Sequence, residues 1–183
     1  MANDRRPDGT IETLAPDDDA LRSGCYLRAS CDGEGRVVRL AATDERWPPA
    51  WFVEVRESAA DPPAVNLLAF AGLDQQPGRL LDAPAAAELA VTSEDQLGAI
   101  RWWPATGEVD QVYVAPRLRR QRMGTALVLT AGCLAIARGW PRLWSDGQRT
   151  ELGQAFVEGS TFRHRAQELL HVLAPMTPPE AAV

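Results

Sequence analysis

The sequence contains no lysine, so arginine supplies all 19 of its basic side chains. Cysteine is also scarce: Cys25, Cys31 and Cys133 form an odd set, and no two of them have the C-x-x-C spacing of a metal-binding pair. This set argues against a disulfide framework, favours a reducing cytoplasmic compartment and predicts no metal site. We interpret the three thiols as small hydrophobic side chains.

Long hydrophobic segments are missing as well. The longest apolar stretch, residues 123–137, is shorter than the ~20 residues that a membrane-spanning helix needs. Residues 1–19 lack the apolar core of a secretory signal. We therefore expect no membrane partner and neither a secretory signal nor a transit peptide.

Acidic side chains exceed basic ones by 25 to 19, which gives a net charge of −6 over 183 residues. This balance disfavours nucleic acid as a partner, because its phosphates reward a basic surface. The charge is unevenly spread: residues 1–97 carry 18 acidic residues and nine arginines, whereas residues 98–183 carry seven acidic residues and ten arginines. We therefore expect an anionic ligand to bind the second half.

The length suits one domain of ordinary size. Residues 1–21 have little periodicity and predict a disordered acidic tail, followed by a single domain over 22–183. Its β-rich first part, 22–96, precedes a core over 97–162 and a C-terminal segment over 163–183. Strands are predicted at 25–31, 36–40, 51–55, 65–70, 97–103 and 108–114. Residues 82–91 leave two alternatives open: a short helix capped by Asp82, or a loop leading into a strand at 89–91.

Helices appear in the second half. Apolar residues over 119–138 occupy nearly every side of the predicted helix, which indicates a helix packed between layers. A short strand at 142–145 follows, and Thr150 is placed to cap a helix over 151–158. Strands joined through helices predict an α/β fold with a mixed sheet.

The segment from Val112 to Leu127 gives the clearest indication of a ligand-binding site. A strand stops at Ala115-Pro116, and four of the six residues 117–122 are arginine, immediately before a helix. A helix N-terminus offers unpaired amide N–H groups and a positive dipole end, and guanidinium groups bind phosphate through paired hydrogen bonds. Gly124 lets a ligand approach the backbone. The segment therefore predicts a phosphate cradle, although it is neither a Walker loop nor a dinucleotide fingerprint.

This segment resembles the signature of the GNAT acetyltransferase superfamily, in which a strand ending in V-x-P is followed by Arg/Gln-x-x-Gly-x-Gly/Ala at the start of a long helix. Here Arg119-Arg120-Gln121-Arg122-Met123-Gly124-Thr125-Ala126 follows Val114-Ala115-Pro116. A second landmark of the family is similar to residues 155–162, AFVEGSTF. The two landmarks span about residues 97–162.

The resemblance implies a GNAT-like acyl-CoA-binding fold and an acetyl-CoA-dependent N-acetyltransferase, with an amine of a small molecule or protein as acceptor. It implies that backbone amides across 121–125 hold the pyrophosphate and that the edge of strand 108–114 pairs with the pantetheine. The residues assigned to acetyl-CoA are Val112, Tyr113, Val114, Arg119, Arg120, Gln121, Arg122, Met123, Gly124 and Thr125. The acceptor and the oligomeric state stay open, with a homodimer among the alternatives.

Three positions depart from the family pattern, and at one of them Thr150 stands where the family often has an asparagine near the start of the helix. Arg122 replaces the first signature glycine, and Val157 replaces the tyrosine that often protonates the departing CoA thiolate. The alternative function is therefore a catalytically degenerate member that binds CoA or serves as an interaction module.

Direct acyl transfer needs a base that removes a proton from the amine. Glu108 and Asp110 are the candidates, because alternation places both on one face of the strand. Each could instead belong to a solvated strand start, and a bulge in this strand would change the side that it faces. We interpret His164 and His171 as structural.

Overall fold

The computed structural model describes residues 4–5, 10–12, 27–42 and 46–174. They belong to two compact units, Met1–Leu143 and Trp144–Val183. The predicted disordered tail, residues 1–21, lies outside the described residues except for two short strands that were not predicted, Asp4–Arg5 and Thr10–Glu12. The single domain over 22–183 stays a prediction. Over the described ranges, no helix combines the length and the apolar character that crossing a membrane would require.

Among the residues described, the first unit has eleven strands and helices. In chain order they are β1 (Asp4–Arg5), β2 (Thr10–Glu12), β3 (Leu27–Cys31), β4 (Val37–Ala42), β5 (Trp51–Glu57), β6 (Ala64–Phe70), β7 (Leu80–Asp82), α1 (Ala83–Ala87), β8 (Gln96–Trp103), β9 (Glu108–Val114) and α2 (Met123–Ala137). The strand predictions in this unit are confirmed where residues are described. Helix α1 resolves the open choice at 82–91, because the Asp82 side chain accepts a hydrogen bond from the Ala85 amide, and 89–91 forms no strand.

Two sheets form in this unit. The first has the antiparallel order β1-β2-β3-β4, and the second has the order β7-β5-β6-β8-β9. In the five-stranded sheet β7 runs parallel to β5 and the other neighbours are antiparallel, so the sheet is mixed. The fold is therefore mixed α/β, as the sequence predicts.

Helix α2 lies between the two sheets. It contacts β3 and β4 of the first sheet and β6, β8 and β9 of the second. Nine of its fifteen residues are buried, among them Leu127 and Leu134, which confirms the prediction of a helix packed between layers. The helix begins at Met123 and not at the predicted residue 119, because Arg120 and Arg122 both have a φ of 64°, the left-handed value that ends helical geometry.

The sheet meets α2 at Gly98 on β8. A Cβ at this position would lie 2.6 Å from the carbonyl oxygen of Tyr113 and 2.8 Å from Cδ1 of Leu127. Such distances are shorter than any comfortable contact, so the missing side chain allows the helix to approach the strand closely.

We expect Gly98→Ala to lower the free energy of unfolding by about 1–3 kcal/mol, because the new methyl group overpacks the contact between β8 and α2. Urea unfolding followed by circular dichroism measures the change. Gly132→Ala in α2 is the matched control: a Cβ there meets nothing within 4 Å, so alanine should be neutral or stabilising by up to about 1 kcal/mol through helix propensity. Equal stability of the Gly98→Ala variant and the unmodified protein would contradict the close approach.

A buried carboxylate lies near the C-terminal end of α2. Glu54 on β5 is 6% exposed, and its Oε1 accepts a hydrogen bond from Nε of Arg56 at 2.8 Å, while Oε2 accepts one from Nη2 of Arg138. Both guanidinium groups also lie over the Trp140 ring, at 5.9 Å for Arg56 and 5.4 Å for Arg138. Both oxygens of the Glu54 carboxylate are thus paired, whereas the buried Nε of Arg138 has no hydrogen-bond partner among the described residues, and the cluster ties the helix end to the sheet.

The second unit contains β10 (Gln148–Thr150), α3 (Glu151–Glu158) and β11 (His171–Leu173), with β10 and β11 parallel. The Thr150 hydroxyl accepts the Gly153 amide at 3.0 Å, which confirms the predicted cap and helix. The predicted strand at 142–145 is wrong: Ser145 makes only an isolated bridge to Ala166. A buried arginine organises this unit, since Arg149 donates to Gln154 Oε1 at 3.0 Å and to the Gln167 carbonyl at 2.7 Å.

Candidate functional site

The turn between β9 and α2 is anchored at its start. A single 3-10 turn, Pro116–Leu118, follows the strand. Within it, the guanidinium of Arg117 donates to the Glu94 carbonyl at 2.9 Å, so this arginine holds the loop that precedes β8. The Gln121 side-chain amide in turn donates to the Arg117 carbonyl at 2.8 Å. Arg117 and the Gln121 side chain therefore shape the turn.

The backbone beyond this anchor contains two residues in the left-handed conformation. Arg120 and Arg122 are left-handed, although the conformation costs a residue with a side chain about 1–2 kcal/mol. Arg119, which precedes Arg120, is extended, and turns that contain left-handed residues can form a concavity of backbone amides that suits an anion. Strain of this kind persists where the surroundings or a function requires it.

The helix that follows has an uncapped start. Arg122 is its N-cap residue, yet no side chain makes a capping hydrogen bond and the first turn holds no acidic residue. The amides of Met123, Gly124 and Thr125 cannot find acceptors inside the helix. They therefore add donors and a positive dipole end to the concavity.

Three arginine side chains surround these amides. Arg119, Arg120 and Arg122 are exposed, and no hydrogen bond or ion pair joins their guanidinium groups to any other residue that the structure describes. The predicted site residues 119–125 are thus brought together in one turn. The prediction that all four arginines contribute is corrected for Arg117, whose guanidinium is already engaged with the backbone.

An open cleft lies beside the turn. Its volume is about 530 Å³, within the ~300–1,000 Å³ range of small-molecule sites. One wall consists of Arg120, Gln121 and Arg122, and the other consists of Arg46, Trp47, Pro48 and Pro49 from the segment before β5. None of these described lining residues is acidic, so the cleft suits an anionic ligand.

No family model, curated protein or solved structure matches this chain. The ligand must therefore be inferred from the donors themselves. Amides arranged in a concavity, a helix N-terminus and guanidinium groups are the donors that proteins use for phosphate. The site has the chemistry of a phosphate or diphosphate cradle.

Strand β9 carries the remaining predicted ligand residues, Val112, Tyr113 and Val114. Within the described part of the first unit β9 pairs only with β8, so its other edge has no strand partner there. Val112 is 37% exposed. An unpaired edge offers backbone N–H and C=O groups to an extended amide-containing ligand.

The two candidate bases lie at the far end of this strand. Asp110 is the extra residue of a bulge, because Arg101 pairs with Gln111 and Trp102 with Val109. Four residues of extended chain, ~13 Å, separate Asp110 from Val114. The structure therefore does not bring Glu108 and Asp110 together with the arginine turn.

Asp110 belongs to an ion-pair network on its face of the sheet. It accepts a hydrogen bond from Nη1 of Arg101 at 2.5 Å, and Arg101 also donates to Glu57 Oε2 at 2.8 Å. Hydrogen bonds from Arg101 and Asn66 lower the pKa of Glu57, and the two carboxylates raise the pKa of Arg101. Glu108 begins β9 opposite Trp103, and its amide donates to the Thr106 hydroxyl.

Other titratable groups add little to this site. His164 and His171 are exposed in the second unit, and Val157 is buried. Burial raises the pKa of Cys133 to about 12, so this thiol is not a nucleophile at neutral pH. Among the described residues, no cluster of three or more His, Cys, Asp or Glu could hold a metal ion.

Sequence reasoning missed two contacts of this region. The wall formed by residues 46–49 lies more than 70 positions before the turn, and only the aromatic and proline composition of R-W-P-P hints at a stiff, ring-bearing surface. The pairing of Arg101 with Asp110 depends on the bulge, which sequence alternation does not reveal.

Proposed function

We propose that the protein is an acetyl-CoA-dependent N-acetyltransferase whose acceptor is an amine of a small molecule or protein. The observation that carries the proposal is the turn 119–125, where a helix start without a side-chain cap lies beside three unpartnered arginines, of which Arg120 and Arg122 line a cleft. The diphosphate of acetyl-CoA fits these donors, and the unpaired edge of β9 fits the pantetheine amides. The order of β9, turn and α2 also supports a GNAT-like fold, and the sparse, odd set of cysteines in the sequence supports a cytoplasmic enzyme.

The proposed reaction is direct transfer. The amine nitrogen attacks the thioester carbonyl, a C–N bond forms, the C–S bond breaks and CoA leaves as a thiolate that takes up a proton. The attacking amine loses a proton, for which Glu108 and Asp110 are the carboxylates on β9. The turn contributes by holding the donor, so that attack occurs within one complex.

A binding module without turnover is the second candidate. It is favoured by the engagement of Asp110 with Arg101 and by valine at position 157, where the family resemblance places a tyrosine. In this candidate, CoA occupies the turn while no group removes the proton from an amine.

Thermal unfolding with acetyl-CoA tests binding. At 100 times the Kd, a ligand adds about 2.7 kcal/mol to the stability of the folded protein, which for this chain length raises Tm by about 5–10 °C. We expect Arg119→Ala to weaken binding about tenfold, the effect of one lost charge-assisted hydrogen bond. Arg39→Ala, which removes an exposed arginine from β4, is the matched control and should retain the shift.

No shift with millimolar acetyl-CoA would refute the proposed function. Release of free CoA thiol in the presence of a panel of primary amines then separates the two candidates. Amine-dependent release supports the transferase, whereas binding without release supports the module.

A further inference from the structure

The wall of the cleft opposite the arginine turn is formed by an aromatic ring, two prolines and one arginine. It consists of Arg46, Trp47, Pro48 and Pro49, of which Trp47 is half-buried. Proline has a fixed φ and no amide hydrogen, so two prolines in succession make the wall stiff and poor in backbone donors. A flat aromatic ring on a stiff support is a surface for stacking, and Arg46 gives it a positive charge.

The indole of Trp47 lacks a hydrogen bond. Its Nε1 is shielded from solvent and has no acceptor among the described residues. Trp51 and Trp102 share this property, but both are at most 1% exposed in the core, whereas Trp47 lines the cleft. An acceptor on a planar ligand that reached this donor would satisfy it.

The two walls are therefore complementary to a ligand whose two ends differ in chemistry. Guanidinium groups and amides on the turn require phosphate, and the Trp47 wall suits a flat ring that carries hydrogen-bond acceptors. A bare polyphosphate would leave the Trp47 wall unused, and an aliphatic phosphate would offer it no ring to stack on. A purine nucleotide provides both ends in one molecule.

We propose that Trp47 stacks on the adenine of a nucleotide whose phosphates occupy the turn at 119–125, so that the cleft recognises the adenosine bisphosphate end of CoA. This assignment rests on the proposed function for the identity of the whole ligand. Trp47 is then a specificity residue that selects nucleotide over phosphate, and Arg46 adds charge beside the same group.

Isothermal titration of the full chain with three probes tests the assignment: adenosine 3′,5′-bisphosphate, 4′-phosphopantetheine and inorganic pyrophosphate. We expect the adenosine bisphosphate to bind about tenfold more tightly than pyrophosphate, in line with the size of base–aromatic stacking. Trp47→Ala should remove this preference and leave pyrophosphate binding unchanged, while Trp47→Phe should retain most of it. Trp103→Ala, at the end of β8 remote from the turn, is the control for loss of a tryptophan.

The outcomes separate the two proposals. An unchanged preference in folded Trp47→Ala, or its complete loss in folded Trp47→Phe, with acetyl-CoA still bound, overturns stacking by Trp47 and leaves the proposed function standing. A Trp47-dependent preference without acetyl transfer to any amine supports the nucleotide cleft and counts against the transferase. Tighter binding of phosphopantetheine than of the adenosine bisphosphate, or no binding of any probe, overturns the assignment. Circular dichroism of each variant shows which of them are folded.

Discussion

Arg122→Asp should weaken acetyl-CoA binding by at least about 100-fold while leaving the stability of the free protein equal or higher. The substitution changes the charge beside the proposed diphosphate by two units and removes a guanidinium donor. Loss of about 2.7 kcal/mol of binding free energy corresponds to this factor. Aspartate tolerates the left-handed backbone better than arginine, and its carboxylate favours the helix dipole by about 0.3–1 kcal/mol.

The matched variant is Arg122→Gly. Glycine accepts a φ of 64° without strain and keeps the backbone amide, so only the guanidinium is lost. We expect a loss of affinity of about tenfold for this variant, measured by isothermal titration, together with a raised Tm. If Arg122→Gly binds acetyl-CoA more tightly than the unmodified protein, the guanidinium crowds the ligand and does not bind it.

Glu54→Ala should have the largest effect on folding, lowering the free energy of unfolding by about 3 kcal/mol. Removal of one member of a buried ion pair costs about 3–5 kcal/mol, and the 22% exposure of Arg138 places the expectation at the lower end. Burial lowers the pKa of Arg138, and Glu54 acts against that shift. The carboxylate therefore stabilises the charged form of this buried arginine. Chemical denaturation measures the change, and Tm should fall by about 6–12 °C.

Two further variants isolate the cause. The double variant Glu54→Leu with Arg138→Met replaces the pair with apolar side chains and should recover most of the lost stability. Glu57→Gln lies on the same strand, but its carboxylate is 40% exposed, so its effect should be a small part of that of Glu54→Ala. An equal loss in Glu57→Gln would show that burial is not the cause.

The sheet and helices were predictable where local pattern decides them. Strands β5, β6, β8 and β9 follow from apolar and β-branched runs, and α3 follows from its Thr150 cap. Residues 142–145 resemble a strand in composition, yet a strand exists only if a partner pairs with it, and this segment forms isolated bridges at Trp144 and Ser145 instead of a strand. Such pairing is a long-range property that local sequence does not contain.

The candidate site also has one part that the local sequence predicts and one part that only the fold determines. The clustering of Arg119, Arg120 and Arg122 at a helix start could be predicted, because these residues are adjacent in the chain. The engagement of Arg117 with the Glu94 carbonyl and the approach of Trp47 could not, because each joins segments that only the fold brings together. Local charge therefore identified the proposed phosphate donors, while the opposite wall of the cleft required the three-dimensional arrangement.

The two left-handed arginines have a consequence for motif searches. Glycine is the residue that usually marks a backbone with positive φ, and sequence signatures of phosphate loops depend on it. Here Arg120 and Arg122 adopt such a backbone without glycine. A search that looks for glycines would therefore miss a loop of this shape.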